Sequence, residues 1–243
     1  MTLMRRHKYV LIALGMYWLG IFILTHIPVP DIARKSGMSD KTMHVMAYFA
    51  LTFLVWCAVS PYERIQWNRG KVWLVMAVIM LYGAADEYIQ SLVGRSADVH
   101  DFIADLFGMV FALGVLSVFC FWSALLTAAA VSVFVISNLS NLTALYPEYH
   151  LNTIFYFIAY AGLSLIWIQH SERYLPLRCN RAVWLLTATA LPLALLAMVL
   201  ATAPLFGKTV WWVDAATAIF GITAAILTSG LTFAFTQKNR YSR

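Results

Sequence analysis

The chain has 243 residues, of which 62% are hydrophobic and only 12% are charged, and its formal net charge is +6. Soluble domains carry about 45–50% apolar and about 25% charged residues, so this composition excludes a soluble enzyme, a disordered tail and a nucleic-acid-binding module. It predicts an all-helical protein that crosses a membrane several times.

Eight apolar stretches are long enough to cross a bilayer, since a spanning helix needs about 20 residues. The apolar run from Phe102 to Val135 is too long for one crossing, so a turn near Cys120 and Ser123 must divide it. Seven and nine spans are the alternatives. The predicted spans are 9–26, 42–60, 72–92, 100–118, 122–141, 151–169, 183–203 and 211–235.

The distribution of charge predicts the orientation of these spans. With eight spans and a cytoplasmic N-terminus, most of the 17 Lys and Arg residues fall on the cytoplasmic side and most of the 11 acids on the other side. Cytoplasmic loops of membrane proteins are enriched in Lys and Arg, so both termini are expected to be cytoplasmic. The first span has a basic start but no small-residue cleavage site, which predicts an uncleaved helix.

A weak internal similarity relates the two halves of the chain. Gly94–Gly108 aligns with Gly207–Gly221, with Asp101 opposite Asp214, and two further short matches occur in the same order at nearly the same spacing. Two four-helix repeats would explain these matches, and an even number of spans in each would make them parallel. Chance similarity between apolar helices is the alternative. Four glycines are expected to allow close helix packing, namely Gly108, Gly114, Gly221 and Gly230.

The two predicted repeats differ in their polar residues. The first, residues 1–120, has acids, a histidine and an amide side chain within its spans, whereas the second, residues 121–243, is a degenerate copy that is mostly apolar at the matching positions. A charged side chain at the bilayer centre costs at least about 2.5–3.5 kcal/mol, so ionisable residues in spans usually face a bundle interior and mark function. Any chemistry is therefore expected in the first repeat.

Polar residues of spans two, three and four reach one depth near the outer ends of these helices. The short link 91–96 makes spans three and four antiparallel neighbours, so their polar faces are expected to meet. The converging residues are Asp40, Lys41, His44 and Tyr48 on span two, Glu87 and Gln90 on span three, and Asp101 and Asp105 on span four. Arg95, at the apex of the link, suits the oxygens of a phosphate. Asp86 and Asp98 are expected to be solvated residues at the mouth of this site.

Three interpretations of this polar set are open. Carboxylates crowded this closely cannot all be ionised, and a neutral carboxyl group beside a histidine suits general acid–base catalysis. Hard oxygens with one imidazole also suit a divalent cation, here bound by His44, Glu87, Asp101 and Asp105. The third interpretation is a buried hydrogen-bonded network that only holds three helices together.

A series of motifs in the first repeat resembles the signature of the VanZ-like family. The motifs are Asp40-Lys41-x-x-His44-x-x-x-Tyr48, Asp86-Glu87-x-x-Gln90, Gly94-Arg95 and Asp101-x-x-x-Asp105-x-x-Gly108. These are small bacterial membrane proteins named for an accessory factor in teicoplanin resistance. The resemblance covers about residues 20–120 and implies action on lipids or lipid-linked precursors of the cell envelope, at the outer face of the bacterial plasma (inner) membrane.

The sequence and this resemblance together predict a multi-pass membrane protein with an outward-facing polar pocket. The pocket would engage the head group of a membrane lipid or lipid-linked sugar and transfer or hydrolyse it.

The predicted catalytic residues are His44, Glu87, Asp101 and Asp105, with His44 and either Glu87 or Asp101 as the acid–base pair. Lys41 and Arg95 are predicted to hold anionic oxygens, and Tyr48 and Gln90 to orient the substrate. The alternative is a non-catalytic lipid-binding scaffold or flippase-like carrier that affects glycopeptide susceptibility. No cofactor is assigned.

Overall fold

In a computed structural model of the chain, the described residues are 3–26, 38–60, 63–92, 98–140, 151–175 and 181–241. This part of the chain is all-helical and contains no strand. Its eight α-helices are α1 (Leu3–His26), α2 (Asp40–Val59), α3 (Gly70–Leu92), α4 (Val99–Val118), α5 (Phe121–Leu139), α6 (Leu151–Tyr174), α7 (Arg181–Thr202) and α8 (Trp212–Tyr241).

Every one of these eight α-helices is long and apolar enough to cross a membrane, within the residues that the structure describes. The prediction of eight apolar helices of spanning length is confirmed, and the helix bounds differ from the predicted bounds mainly at the ends. The long apolar run breaks at Phe119 and Cys120, between α4 and α5, where a turn was expected. These helices indicate a multi-pass membrane protein.

The chain divides into two compact units, Met1–Ala124 (unit 1) and Leu125–Arg243 (unit 2). The boundary lies in the first turn of α5, so unit 1 contains α1 to α4 and unit 2 contains α6 to α8 with most of α5. All the predicted site residues belong to unit 1.

Helix α2 is the central helix of unit 1, because its contacts with α1 and above all with α4 are the most extensive in the unit. Leu51 and Trp56 of α2 are almost fully buried, and so is Leu113 of α4. The Tyr17 hydroxyl of α1 donates a hydrogen bond of 3.0 Å to the Ala47 carbonyl oxygen of α2. This central position allows α2 to present polar side chains to its neighbours instead of to lipid.

Glycine permits the close approach of α2 and α4. A Cβ atom added at Gly108 would overlap the carbonyl oxygen of Val45 and contact the backbone nitrogen of Phe49, both on α2. Backbone therefore meets backbone at this crossing, and the obstacle cannot move aside as a flexible side chain would. Small residues are the usual means of such packing between helices in a membrane.

Unit 2 has a crossing of the same kind. A Cβ atom at Gly221 of α8 would overlap the carbonyl oxygen of Phe157 of α6. Gly114 and Gly230, in contrast, have no described neighbour within 4 Å of a Cβ atom built on them. The expectation of close packing at four glycines therefore holds for Gly108 and Gly221 and is wrong for the other two.

We expect the substitution Gly108→Ala to lower the free energy of unfolding of unit 1 by about 1–3 kcal/mol, the usual cost of forcing a methyl group into a packed contact. The measurement is thermal unfolding in detergent, followed by the fluorescence of the tryptophan residues. Gly114→Ala on the same helix is the matched control, because open space surrounds that position. Equal midpoints for the two variants would contradict the assigned crossing.

Candidate functional site

The candidate site lies where α2 and α4 begin and α3 ends. The Ser39 hydroxyl oxygen caps α2 by accepting a hydrogen bond of 3.1 Å from the Thr42 backbone N–H. The Asp98 carboxylate caps α4 by accepting one of 2.9 Å from the His100 N–H. Capping of this kind satisfies backbone donors that the first turn leaves free, so it fixes where each helix starts. His44 then lies one turn inside α2.

The centre of the site is a buried pair between α2 and α4. The Nδ1 atom of His44 lies 2.9 Å from Oδ1 of Asp105, and the two residues are only 5% and 2% exposed. When that nitrogen carries a proton, it donates a hydrogen bond to the carboxylate. The pair joins the two helices that Gly108 brings together, so the close crossing also positions the site.

Glu87 of α3 completes a buried group of three with His44 and Asp105. One potential ligand atom from each of these residues lies within 4.8 Å of the other two. The second carboxylate oxygen of Glu87, Oε2, accepts a hydrogen bond of 3.2 Å from the Asp98 backbone N–H. This bond ties the end of α3 to the start of α4 and holds Glu87 toward the pair.

A second group of three contains the same histidine. Atoms of Asp40, His44 and Asp101 also lie within 4.8 Å of one another, with Asp40 exposed and the other two residues buried. His44 is therefore the common member of both groups. The structure thus brings together all four of the residues predicted to be catalytic.

Several buried polar atoms around the pair have no hydrogen-bond partner among the described residues. They are Oε1 of Glu87, Oδ2 of Asp105 and the hydroxyl oxygen of Tyr48. A Cβ atom at Gly83 would lie 3.4 Å from both Asp105 Oδ2 and the Tyr48 ring, so the phenol borders the pair. Buried polar atoms are normally hydrogen-bonded, and exceptions require an explanation.

Two predicted mouth residues have different surroundings. Asp98 is 43% exposed, and hydrogen bonds from the backbone N–H and the ring of His100 hold the pKa of its carboxyl below the usual value. The expectation that Asp86 is solvated is wrong, since it is 1% exposed. Its two carboxylate oxygens accept hydrogen bonds from Thr25 at 3.1 Å and from Gln90 at 2.8 Å.

This second network links α1 to α3 beside the site. His26 contributes to it, because its Nδ1 lies 3.8 Å from an Asp86 oxygen. Gln90, predicted to orient a substrate, donates its amide N–H to Asp86 and so has a structural contact. Thr25 and His26 of α1 were missed as neighbours of the site. The available signal was their position at the end of the first span, level with the acids of the third.

Of the two predicted cationic residues, only Lys41 lies in the part of the chain that the structure describes. Lys41 is exposed, and no acidic oxygen of the described residues lies within 4.0 Å of its ammonium group. Arg95 lies outside the described residues. Their predicted contacts with anionic oxygens therefore stay predictions.

Unit 2 retains one acid of the corresponding set. Asp214, which aligns with Asp101, is buried and accepts a hydrogen bond of 2.9 Å from the Thr153 hydroxyl. Tyr156 and Ala218 stand where the alignment has His44 and Asp105. Both groups of potential ligands found among the described residues belong to unit 1.

Comparisons of the chain with models of known families, with curated proteins and with solved structures find no match. The resemblance to the VanZ-like family therefore rests on the motifs of the sequence, and it stays a prediction.

Proposed function

We propose that unit 1 engages the head group of a membrane lipid or lipid-linked sugar and transfers or hydrolyses it. The observation that carries this proposal is the buried His44–Asp105 pair, 2.9 Å apart, with Glu87 beside it. Ionisable groups inside a membrane span are costly, and the usual compensation is a function. A histidine held by one carboxylate and adjacent to another is suited to moving a proton.

The proton balance of the proposed reaction is simple. A hydroxyl group or water attacks the phosphoester or glycosidic link of the head group and gives its proton to the imidazole of His44. The bond to the leaving oxygen breaks, and that oxygen takes up the proton. The hydrogen bond to Asp105 stabilises the protonated imidazole between these steps, and neither oxidant nor reductant is needed.

The exposed rim of the site suits recognition of the head group. Asp40 is exposed and belongs to the group around His44, so it connects the buried cluster to the surface. Acids outnumber bases here, which favours sugar hydroxyls or a zwitterionic head group over a bare phosphate. Lys41 and Arg95 would hold anionic oxygens, and the unpartnered Tyr48 hydroxyl would orient the substrate.

The same proposal includes membership of the VanZ-like family and a location in the bacterial plasma membrane. It also includes an origin of the two units as repeats of one four-helix plan. Helix crossings support the repeats, since Gly108 meets Val45 in unit 1 and Gly221 meets Phe157 in unit 2, at nearly equal offsets along the chain.

We infer that the site faces the outside of the cell and that both termini are cytoplasmic. The opposite end of unit 1 supports this orientation. There Lys71 and Arg69 lie 2.6 and 3.2 Å from the Glu63 carboxylate, so two basic residues lie at the end of unit 1 away from His44. Cytoplasmic ends of spans are enriched in Lys and Arg.

Cysteine labelling tests this orientation. In a variant whose own cysteines are replaced by serine, we expect a membrane-impermeant maleimide added to whole cells to label His100→Cys and not Trp67→Cys. Both positions are exposed, and they lie at opposite ends of unit 1. Labelling of Trp67→Cys alone would place the site in the cytosol and overturn the proposed substrate.

The variant Glu87→Gln tests the function itself. It keeps the size of the side chain but removes a carboxylate, so we expect an enzyme to lose turnover while keeping its fold. Purified protein is reconstituted in vesicles of a bacterial polar lipid extract, and head-group products are followed by mass spectrometry. Asp214→Asn is the matched control, because it changes a buried acid to an amide in unit 2.

The scaffold hypothesis predicts a different result. The contact of Asp86 with Thr25 favours it in part, because it shows that one of these polar residues joins α1 to α3. A scaffold should keep its effect on teicoplanin susceptibility in cells that produce folded Glu87→Gln protein. If purified Glu87→Gln protein converted lipid head groups as fast as the wild type, the acid–base proposal would be wrong.

A further inference from the structure

We propose that His44, Glu87 and Asp105 bind one divalent transition-metal ion, which in turn binds an anionic oxygen of the head group. The role of the ion rests on the proposed function, since the site is the same. With the ion bound, the imidazole of His44 is a ligand, so the attacking group gives its proton to Asp101, which lies beside His44. The ion itself follows from the geometry of the three residues. They come from three helices, they are all buried, and their potential ligand atoms lie within 4.8 Å of one another.

The distances between the potential ligand atoms of these three residues need little adjustment to accommodate an ion. Zinc binds imidazole nitrogen and carboxylate oxygen at about 2.0–2.2 Å, so two of its ligand atoms lie at most about 4.4 Å apart. The Nδ1 atom of His44 and Oδ1 of Asp105, now 2.9 Å apart, would separate by a few tenths of an ångström as the ion replaces their shared proton.

Unpartnered atoms are the second, independent observation. Glu87 is only 7% exposed and Asp105 only 2%. Glu87 Oε1 and Asp105 Oδ2 are nevertheless buried without a hydrogen-bond partner among the described residues. Both atoms belong to the residues that would bind the ion. A bound cation would satisfy both.

Charge points to the same conclusion. Among the described residues, no Lys or Arg nitrogen lies within 4.0 Å of the carboxylates of Glu87, Asp101 or Asp105. Within the part of the chain that the structure describes, these three buried acids therefore lie around a single imidazole. Buried charge that is neither paired nor bound to a metal is strongly unfavourable, and a divalent ion supplies the missing positive charge.

The donor set indicates the class of ion. One imidazole with two carboxylates suits Zn²⁺ or Mn²⁺, whereas Cu(I) prefers sulfur ligands. Three protein ligands leave a coordination position open, as in catalytic zinc sites. A head-group phosphate could occupy that position, and the ion would then overcome the repulsion between the phosphate and the surrounding acids. The substrate class would accordingly be a phosphate-bearing head group.

Metal binding can be measured without knowledge of the substrate. The full chain, purified in detergent through a tag that lacks histidine, is freed of metal with EDTA and dialysed against ZnCl₂. We expect one zinc ion per chain in the wild type and in the control Asp214→Asn. Glu87→Gln and His44→Gln are expected to weaken zinc binding by about 10–100-fold or more. Changes to residues that only support a metal ligand already cost about that factor, and these two variants remove a ligand itself.

A second measurement needs no variant. Co²⁺ added to the metal-free wild type should give the visible absorption of nitrogen and oxygen coordination, without a thiolate charge-transfer band.

Zinc binding that is unchanged in both Glu87→Gln and His44→Gln would overturn the site, as would its absence from the wild type. If zinc binds but vesicle lipids stay unaltered, the metal site stands and the proposed function fails. If Glu87→Gln abolishes lipid conversion although the wild type binds no zinc, only the metal site fails.

Discussion

The variant His44→Gln is expected to convert lipid head groups about 10²–10⁴-fold more slowly than the wild type, since a positioned acid–base group typically contributes that factor. Glutamine fills a similar space and can still form a hydrogen bond with Asp105. It does not take up a proton near neutral pH, so proton transfer by residue 44 stops while the contact between α2 and α4 persists. The measurement is the initial rate of head-group conversion in vesicles of bacterial polar lipids.

His100→Gln is the matched control for this prediction. His100 is also paired with an aspartate, since its Nδ1 lies 2.8 Å from Asp98 Oδ1, but its side chain is 71% exposed. We expect this variant to keep the wild-type rate. A wild-type rate in His44→Gln would show that the buried histidine moves no proton, and a loss in both variants would indicate a general defect of folding.

The convergence of polar residues from α2, α3 and α4 could be predicted from the sequence. Each of these helices places its acids or histidine at a known distance along the bilayer, because a helix rises about 1.5 Å per residue. Depth therefore follows from counting residues. The short link between α3 and α4 makes them neighbours, and the buried contacts of His44 with Glu87 and Asp105 agree with that reasoning.

The rotation of a helix about its axis is harder to predict, and this explains the error at Asp86. In a soluble protein, the polar face of a helix points to water and reveals the rotation. A spanning helix is apolar on nearly all sides, so its pattern does not say whether Asp86 or Glu87 faces a given neighbour. The structure turns Asp86 toward Thr25 of α1 and Glu87 toward His44 of α2.

The backbone contact at Gly108 shows another limit of the sequence. Gly108 and Gly114 are equivalent in composition, and both lie on α4. Only the position opposite Val45 of α2 requires the missing side chain. Which glycine serves that purpose depends on where two helices cross, and this information is held by the pair of helices and not by either one.

The stability of two His44 variants should separate a functional site from a purely structural network. His44→Ala leaves Asp105 buried beside Glu87 without the imidazole, so we expect it to lower the free energy of unfolding by about 3–5 kcal/mol. The double variant His44→Leu, Asp105→Leu removes both members of the pair and fills the space with apolar atoms. It is expected to match the wild type or exceed its stability by about 1–4 kcal/mol.

Unfolding in mixed detergent micelles, followed by tryptophan fluorescence, measures both variants, and the vesicle assay measures their rates. A functional site predicts a double variant that is stable and inactive, because natural proteins retain costly buried charges where chemistry requires them. A double variant as unstable as His44→Ala would show instead that the pair itself joins α2 to α4. The buried acids would then be explained by helix packing alone, and the acid–base mechanism would lose its main support.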